Sequence, residues 1–372
     1  MPTTREQRGE AIAKLPNQIE RIDEDFYLVK SQSGNGNYAV FKTENKWTCQ
    51  CPDNQYRKVT CKHIYAIEFS SRIRKEVQVN RVIQEINAQN CRYCGSAGIV
   101  KDGVRRNKHG DLQIYSCRKC GHYFTINLGF ERMKATPQII TSAMQLYFTG
   151  ESLRNVQKFL KLQGVTVSHV AVLKWIKKYV ALMNQYLERI KPQVSDTWRA
   201  DELWLKIKGD KKYLFAIMDD ETRFWIAQEI ADSKYTHDAR MLLRSGVEAT
   251  GKKPQTFITD GLPAYHEAFK KEFWTLKGLQ GEHIRHITWK GDRNNNKMER
   301  MNGEVRDREK VMRGLKKVDT PILKGYQIFH NYIRPHEGLD GKTPAEVCGI
   351  KIEGKNKWLT LIQNASRSSQ HN

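Results

Sequence analysis

The chain has 372 residues, a formal net charge of +22 and an apolar content of 39%. That length fits two or more domains with their own cores, and the composition excludes a disordered chain. No run approaches the ~18 apolar residues of a membrane span, and the start Met1-Pro2-Thr3-Thr4-Arg5-Glu6 lacks a secretory apolar region, so a soluble protein held in the cytoplasm, with no membrane partner, is expected.

The positive charge is uneven: from Cys91 to Pro192 there are 17 Lys and Arg against 5 Asp and Glu. A surface this basic gains free energy by displacing counterions from phosphates, which makes nucleic acid the expected partner. Residues 20 to 48 read as short strands, with Phe26-Tyr27-Leu28-Val29 and Tyr38-Ala39-Val40-Phe41 forming a hairpin across Ser33-Gly34-Asn35-Gly36-Asn37. The hairpin runs into Cys49-Gln50-Cys51, and Cys61-Lys62-His63 opens an amphipathic stretch through Ile64, Ile67 and Phe69. Cys49, Cys51, Cys61 and His63 make a closed tetrahedral set suited to structural zinc. These two pairs resemble the SWIM zinc finger, a small module linked with DNA or protein binding, over residues 20 to 75.

A second set repeats one unit, Cys91-Arg92-Tyr93-Cys94-Gly95 and Cys117-Arg118-Lys119-Cys120-Gly121, with Gly supplying the permissive backbone that each knuckle needs. Four thiolates with no open position predict a zinc ribbon. Its strands, Ile99-Val100-Lys101 and Gln113-Ile114-Tyr115, flank Arg105, Arg106 and Lys108, which are candidate DNA contacts. Cys348 is left over and is expected to be a buried thiol.

After Pro137 the apolar period becomes helical. Ile140, Ala143, Met144 and Tyr147 share a face, and Ser152 caps a second helix through Leu153, Val156, Phe159 and Leu160. Gly164 interrupts, and Ser168 caps a third helix whose Val170, Leu173, Ile176, Val180, Met183 and Leu187 form a stripe. Lys174, Lys177 and Lys178 fall on its other faces. Three helices with a basic last one predict a helix-turn-helix; a helical linker with solvated lysines is the alternative.

From Thr197 onward, strands and helices alternate, which predicts an α/β domain with a mixed sheet. Asp201 lies in a strand, on one face with Leu203, Leu205 and Ile207. Asp260 ends the run Phe257-Ile258-Thr259, and Glu299 opens a helix after Asn294-Asn295-Asn296. Each also fits a plain structural role, Asp201 as a strand charge, Asp260 as a helix cap and Glu299 as half of a capping box. Attack on a phosphodiester needs an activated oxygen and a stabilised leaving oxygen, which two Mg²⁺ or Mn²⁺ ions held by carboxylates supply. Asp292 and Glu304 also follow the last strand, but Glu304 is five residues from Glu299 and about 140° round the helix. Lys297, Arg300, Arg306 and Arg308 are candidate phosphate contacts there.

Arg199-Ala200-Asp201-Glu202, Thr259-Asp260-Gly261, Asn295-Asn296-Lys297-Met298-Glu299-Arg300, and Phe329-His330-Asn331-Tyr332-Ile333-Arg334-Pro335-His336 with Lys342-Thr343-Pro344-Ala345-Glu346 together resemble a DDE transposase of the insertion-sequence type. Ribbons similar to this one precede the catalytic domain in several such transposases. The resemblance covers residues 135 to 348 and implies a retroviral-integrase, or RNase H-like, fold in which Asp201, Asp260 and Glu299 hold the two catalytic cations.

The expected architecture is therefore multidomain α/β. It comprises a SWIM-like zinc domain (1–85), a zinc ribbon (86–130), a helix-turn-helix region (131–192), an RNase H-like DDE catalytic domain (193–349) and a C-terminal tail (350–372). The expected function is binding the ends of a mobile DNA element, then metal-dependent cleavage and strand transfer; a non-catalytic, transposase-derived DNA-binding regulator is the alternative. The expected cofactors are two structural Zn²⁺ and two catalytic Mg²⁺ or Mn²⁺. The expected partners are double-stranded DNA, as element ends and target, and further copies of the chain in a synaptic complex, in a prokaryotic, nucleoid-associated setting.

Overall fold

The computed structural model describes residues 4–15, 18–22, 26–34, 36–43, 46–77, 81–86, 90–91, 93–107, 110–276, 278–285, 295–312 and 321–370. The chain divides into two units, Met1–Asn80 and Arg81–Asn372. The first contains α1 (Arg5–Lys14), β1 (Ile19–Arg21), β2 (Phe26–Lys30), β3 (Asn37–Thr43), β4 (Lys46–Cys49), α2 (Pro52–Gln55) and α3 (Lys62–Val77). Its strands pair in sequence order, all antiparallel. The expected hairpin is thus the middle of a four-stranded sheet. Alternation places Tyr27 and Val29 inward with Val40, and α3 adds Ile64 and Ile67. Helix α1 has little apolar signal beyond the buried Ile12 and begins at a capping box formed by Thr4 and Gln7.

The second unit begins with β5 (Arg81–Ile83) and a three-stranded sheet of β6 (Ile99–Asn107), β7 (Gly110–Cys117) and β8 (Tyr123–Thr125). β6 runs further than its apolar start indicates, so Arg105 and Arg106 are exposed strand residues rather than loop residues. Lys108 lies outside the described residues. Gly95 and Gly121 both have φ of +71°, and their N–H groups donate to the carbonyls of Cys91 and Cys117. The two knuckles thus share one geometry, which requires the conformational freedom of glycine.

Helices α4 (Pro137–Thr149), α5 (Leu153–Leu162) and α6 (His169–Leu187) follow. The inward face of α6 is Val172, Trp175, Ile176, Tyr179, Val180, Met183 and Leu187. The expected stripe is out of phase at its start: Val170 is 48% exposed. Residues 163–168 separate α5 from α6, which is longer than the three- or four-residue turn of a helix-turn-helix. Lys174, Lys177 and Lys178 are exposed on the outer faces.

The sheet that follows contains β9 (Thr197–Ile207), β10 (Asp210–Asp219), β11 (Trp225–Ala231), β12 (Thr256–Thr259) and β15 (Glu282–Arg285). Between them come α7 (Thr236–Thr250), α8 (Pro263–Phe273) and the small pair β13 (Trp274–Thr275) and β14 (Gly278–Leu279). Its order is β11-β10-β9-β12-β15; the first three strands are antiparallel neighbours, while β12 is parallel to both β9 and β15. This is the mixed RNase H-like sheet expected from the sequence. β10 is buried along its last six residues because helices cover the sheet. Of the expected strand from His283 to Trp289, residues 286–289 lie outside the described set.

The chain finishes with α9 (Asn296–Met312), α10 (Pro321–Ile328), a π turn (Phe329–Ile333), α11 (Pro344–Val347), β16 (Ile350–Ile352) and α12 (Lys357–Gln370). Residues 350–370 are not a tail. β16 pairs in parallel with β5, and Trp358, Leu361, Ile362 and Ala365 of α12 are buried at the i, i+3, i+4, i+7 spacing of an inward helical face. Trp358 stacks on Phe148 at 5.5 Å and donates its indole N–H to Gln145 Oε1. Helices α4 to α6, the five-stranded sheet and α12 share one continuous core, so 131–192 and 193–349 are not separate globules. Gly325 of α10 permits this contact, since a Cβ there would lie 2.4 Å from the Phe148 ring.

The π turn closes the sheet edge. Asn331 Oδ1 accepts from Trp225 N and its Nδ2 donates to Trp225 O, while Gln327 donates to the same carbonyl, so side-chain amides replace a neighbouring strand. Next to it, buried His330 faces Arg223 O through Nε2, and Nδ1 has no partner among the described residues. Burial, with His336, Arg334 and Arg223 nearby, pushes His330 down to about 3. Below pH ~6.5 the unfolded chain takes up a proton here that the fold refuses, so stability present above that pH is lost as pH falls towards 3. The loss from this residue at pH 5 is about 2 kcal/mol. Urea unfolding of wild type and His330→Gln across pH 5 to 7.5 isolates this share from that of other groups: the stability difference between the two should shift by about 2 kcal/mol over that range, and a pH-independent difference would contradict it.

Candidate functional sites

The first metal-ligand set is assembled from a strand end and a helix start. Cys49 ends β4, Cys51 precedes α2, Cys61 precedes α3, and His63 lies in the first turn of α3. All four are buried, with one ligand atom of each within 4.8 Å of the others. His63 presents Nδ1, 3.8 Å from Cys49 Sγ and 3.9 Å from Cys61 Sγ. Hydrogen bonding from Cys49 is the main influence holding Cys61 down at about 4, in the thiolate form that zinc requires. In the ribbon, Cys91 to Cys120 and Cys94 to Cys117 are both 3.6 Å between sulfurs, close to the ~3.8 Å edge of a tetrahedron with Zn–S near 2.3 Å. Backbone N–H groups of Cys120 and Lys119 pull Cys117 down to about 6. All eight cysteines are free, and both sets fit zinc. Cys348 is the expected buried thiol and donates to Thr222 Oγ1.

The acidic site follows from strand register. β12 pairs with β9 as Thr256 with Thr197, Phe257 with Trp198 and Ile258 with Arg199. Two residues further on, that register brings Asp260 level with Asp201. β12 ends at Thr259, which leaves the edge of β9 open beside Asp201. One oxygen each of Asp201, Asp260 and Glu202 lies within 4.8 Å of the others. Burial, then the charges of Asp260 and Glu202 and, more weakly, Glu299, push Asp201 up to about 7. Hard divalent cations take such oxygen donors, and a cation here would relieve the repulsion.

Glu299 is exposed on α9 and stands outside that 4.8 Å set. Its helix is nevertheless fixed over β9. Asn295 Nδ2 donates to Ala200 O, Asn302 Nδ2 donates to Asp201 Oδ2 at 2.8 Å, and Lys206 N donates to Glu309 Oε1. Glu304 accepts from Arg334 at 2.6 Å, so its carboxylate is turned away from the acids. Asp292 lies outside the described residues.

Two cations expected to reach phosphate are committed elsewhere. Arg308 is buried, 4.0 Å from the centre of the Tyr147 ring, and donates to Glu151 O. Lys297 donates to Asp220 O and Oδ1, both at 2.8 Å, and Asp220 also holds buried Arg199 at 2.5 Å. Burial would raise Asp220, but Arg199 and Lys297 more than offset it and hold it below the usual carboxylate range. Arg300 and Arg306 remain exposed.

Sequence reasoning missed Glu202, Asn295, Asn302, Lys234 and Tyr265. Asn302 is three residues after Glu299, a spacing that puts both on one side of a helix. Glu202 was masked by strand alternation, which assigns it to the face opposite Asp201.

Residues 195–336 match the family model of the DDE domain, and residues 38–71 match that of the SWIM zinc finger. Those two stretches are similar to a DDE domain and to a SWIM zinc finger. Relatives of the DDE part include the transposase for insertion sequence-like element IS431mec of Staphylococcus aureus (strain N315) and the transposase for insertion sequence element IS257 in transposon Tn4003 of Staphylococcus aureus. Each is 28% identical over 152 residues, 40% of this chain and 66% of the relative. The chain thus spans just under two thirds of the length of those relatives. Among solved structures, the HTLV-2 integrase catalytic core domain in complex with magnesium is similar over 43% of this chain and 98% of that one, at 20% identity and a TM-score of 0.33. The simian T-cell lymphotropic virus intasome in complex with PP2A regulatory subunit B56 gamma is similar over 55% and 73%, at 16% identity and a TM-score of 0.34. No helix among the described residues is long and apolar enough to cross a membrane.

Because Lys297 anchors α9 to the turn after β10, Lys297→Ala should lower unfolding stability by about 1 kcal/mol, discounted for partial exposure. Urea titration of the full chain measures it; an unchanged midpoint would return Lys297 to the set of free surface cations.

Proposed function

We propose that the chain is a transposase that binds the ends of a mobile DNA element and catalyses metal-dependent cleavage and strand transfer. The observation that carries this is the convergence of Asp201 and Asp260 from neighbouring parallel strands beneath a helix that presents Glu299, inside a DDE domain. Asp201, Asp260 and Glu299 would hold two Mg²⁺ or Mn²⁺ ions, which, when bound, activate the attacking oxygen and stabilise the leaving one. Asn302 keeps one oxygen of Asp201 in place, and Glu202 N–H holds the other at 2.8 Å. Glu304 and Lys297 secure α9, so that the direction of Glu299 is set by the fold rather than by a mobile loop.

Phosphate contact falls to cations left exposed: Arg105 and Arg106 on β6, Lys174, Lys177 and Lys178 on α6, and Arg300 on α9. The basic ribbon and helices would hold double-stranded DNA at the element ends, with further copies of the chain completing a synaptic complex. The two zinc sets would each hold one structural ion, Cys49, Cys51, Cys61 and His63 the first, Cys91, Cys94, Cys117 and Cys120 the second.

Incubation of purified protein with Mg²⁺ and labelled element ends tests the reading. Glu299→Gln should abolish nicking and joining yet retain the ends, whereas Glu304→Gln, which only loosens the Arg334 anchor, should keep cutting at somewhat reduced stability. Retention of ends without cutting by the wild type would identify a binding protein that has kept the acids. Metal analysis should return two zinc equivalents per chain, one in Cys94→Ser; a single equivalent in the wild type would remove one site.

A further inference from the structure

The proposed site holds an acid that the reading above does not use. Glu202 is adjacent to Asp201, its side chain is only 4% exposed, and one of its oxygens lies within 4.8 Å of those of Asp201 and Asp260. Lys234, just before α7, holds Oε1 at 2.5 Å. Oε2 is buried and has no hydrogen-bond partner among the described residues. Tyr265 of α8 is fully buried beside it, and its hydroxyl interacts with the Glu202 carboxylate without reaching full hydrogen-bonding geometry. A carboxylate oxygen shut away from water with no well-formed hydrogen bond is costly, and an acid that served only to pair with Lys234 would not need to stand among two others.

We propose that Glu202 is a fourth acidic residue of the cation site, held by Lys234 so that Oε2 serves, with Asp201 and Asp260, a divalent cation in the DNA-free protein. This rests on the transposase reading and deepens it. Asp201 and Asp260 come from paired strands, while Glu299 comes from α9 and stands outside the close set. The inner cation seat is therefore built from β9 and the end of β12 alone, and the α9 acid adds to it. Lys234 acts as a positioning residue: its ammonium offsets one of the three clustered charges and fixes which oxygen faces inward.

Mn²⁺ titration of the full-length, DNA-free protein, followed by calorimetry, tests this without reference to activity. Glu202→Gln should weaken Mn²⁺ binding about 10- to 100-fold, while its melting temperature without metal stays within a few degrees of wild type. Glu202→Asp, which keeps the charge but withdraws it by one methylene, should weaken binding as well and serves if the glutamine variant fails to fold. Unchanged affinity in Glu202→Gln, beside a clear loss in Asp201→Asn, would overturn the role of Glu202 and leave the transposase reading standing. No Mn²⁺ binding by the wild type would overturn both.

Discussion

β9 has a bare edge. β12 pairs with it only from Thr197 to Arg199 and then ends, so the backbone groups and side chains from Ala200 onward need another partner. Helix α9 provides one, with Asn295 on the Ala200 carbonyl and Glu309 on the Lys206 amide at the two ends of the bare stretch. An unpaired edge is a liability in most sheets. Here it makes room for Asp260 to sit level with Asp201, and the helix that covers the edge is the one that carries Glu299.

The rest of the unit holds that helix still. Lys297 ties its first turn to Asp220, Glu304 ties its middle to Arg334, and Arg308 lies against Tyr147 of α4. These anchors come from three separate parts of the chain, and two of those parts are themselves joined through the core shared by α4, α6 and α12. Among the ion pairs described, Lys234 alone meets the clustered negative charge, and burial with the neighbouring acids holds Asp201 up at about 7. The polar edge cap by Asn331 and Gln327 does for β11 what α9 does for β9.

Local chemistry was legible in the sequence, and long-range geometry was not. Both cysteine sets could be read because their ligands come in tight pairs and Gly95 and Gly121 mark the knuckles. Asp201, Asp260 and Glu299 stand out in the sequence by order and setting; the structure brings Asp201 and Asp260 together and leaves Glu299 outside their close set. The apolar stripe of α6 slipped because Val170 and Leu173 mimic its period, whereas Trp175 and Tyr179 carry the true face. Residues 350–370 read as a tail although Trp358, Leu361, Ile362 and Ala365 already had helical spacing. Nothing local marks Asn302 as the donor to Asp201, 101 residues away, or shows that Lys297 and Arg308 are bound to protein rather than free for phosphate.

Whether acids from β9, β12 and α9 share one cation site can be read from the backbone itself. Loading the protein with Fe²⁺ in place of Mg²⁺ and generating hydroxyl radicals with ascorbate and peroxide cuts the backbone beside the bound ion, which maps the site directly. A shared site gives cuts next to Asp201, next to Asp260 and within the first turns of α9, all suppressed by excess Mg²⁺. Cuts confined to one of these segments, or lying elsewhere in the chain, would contradict it.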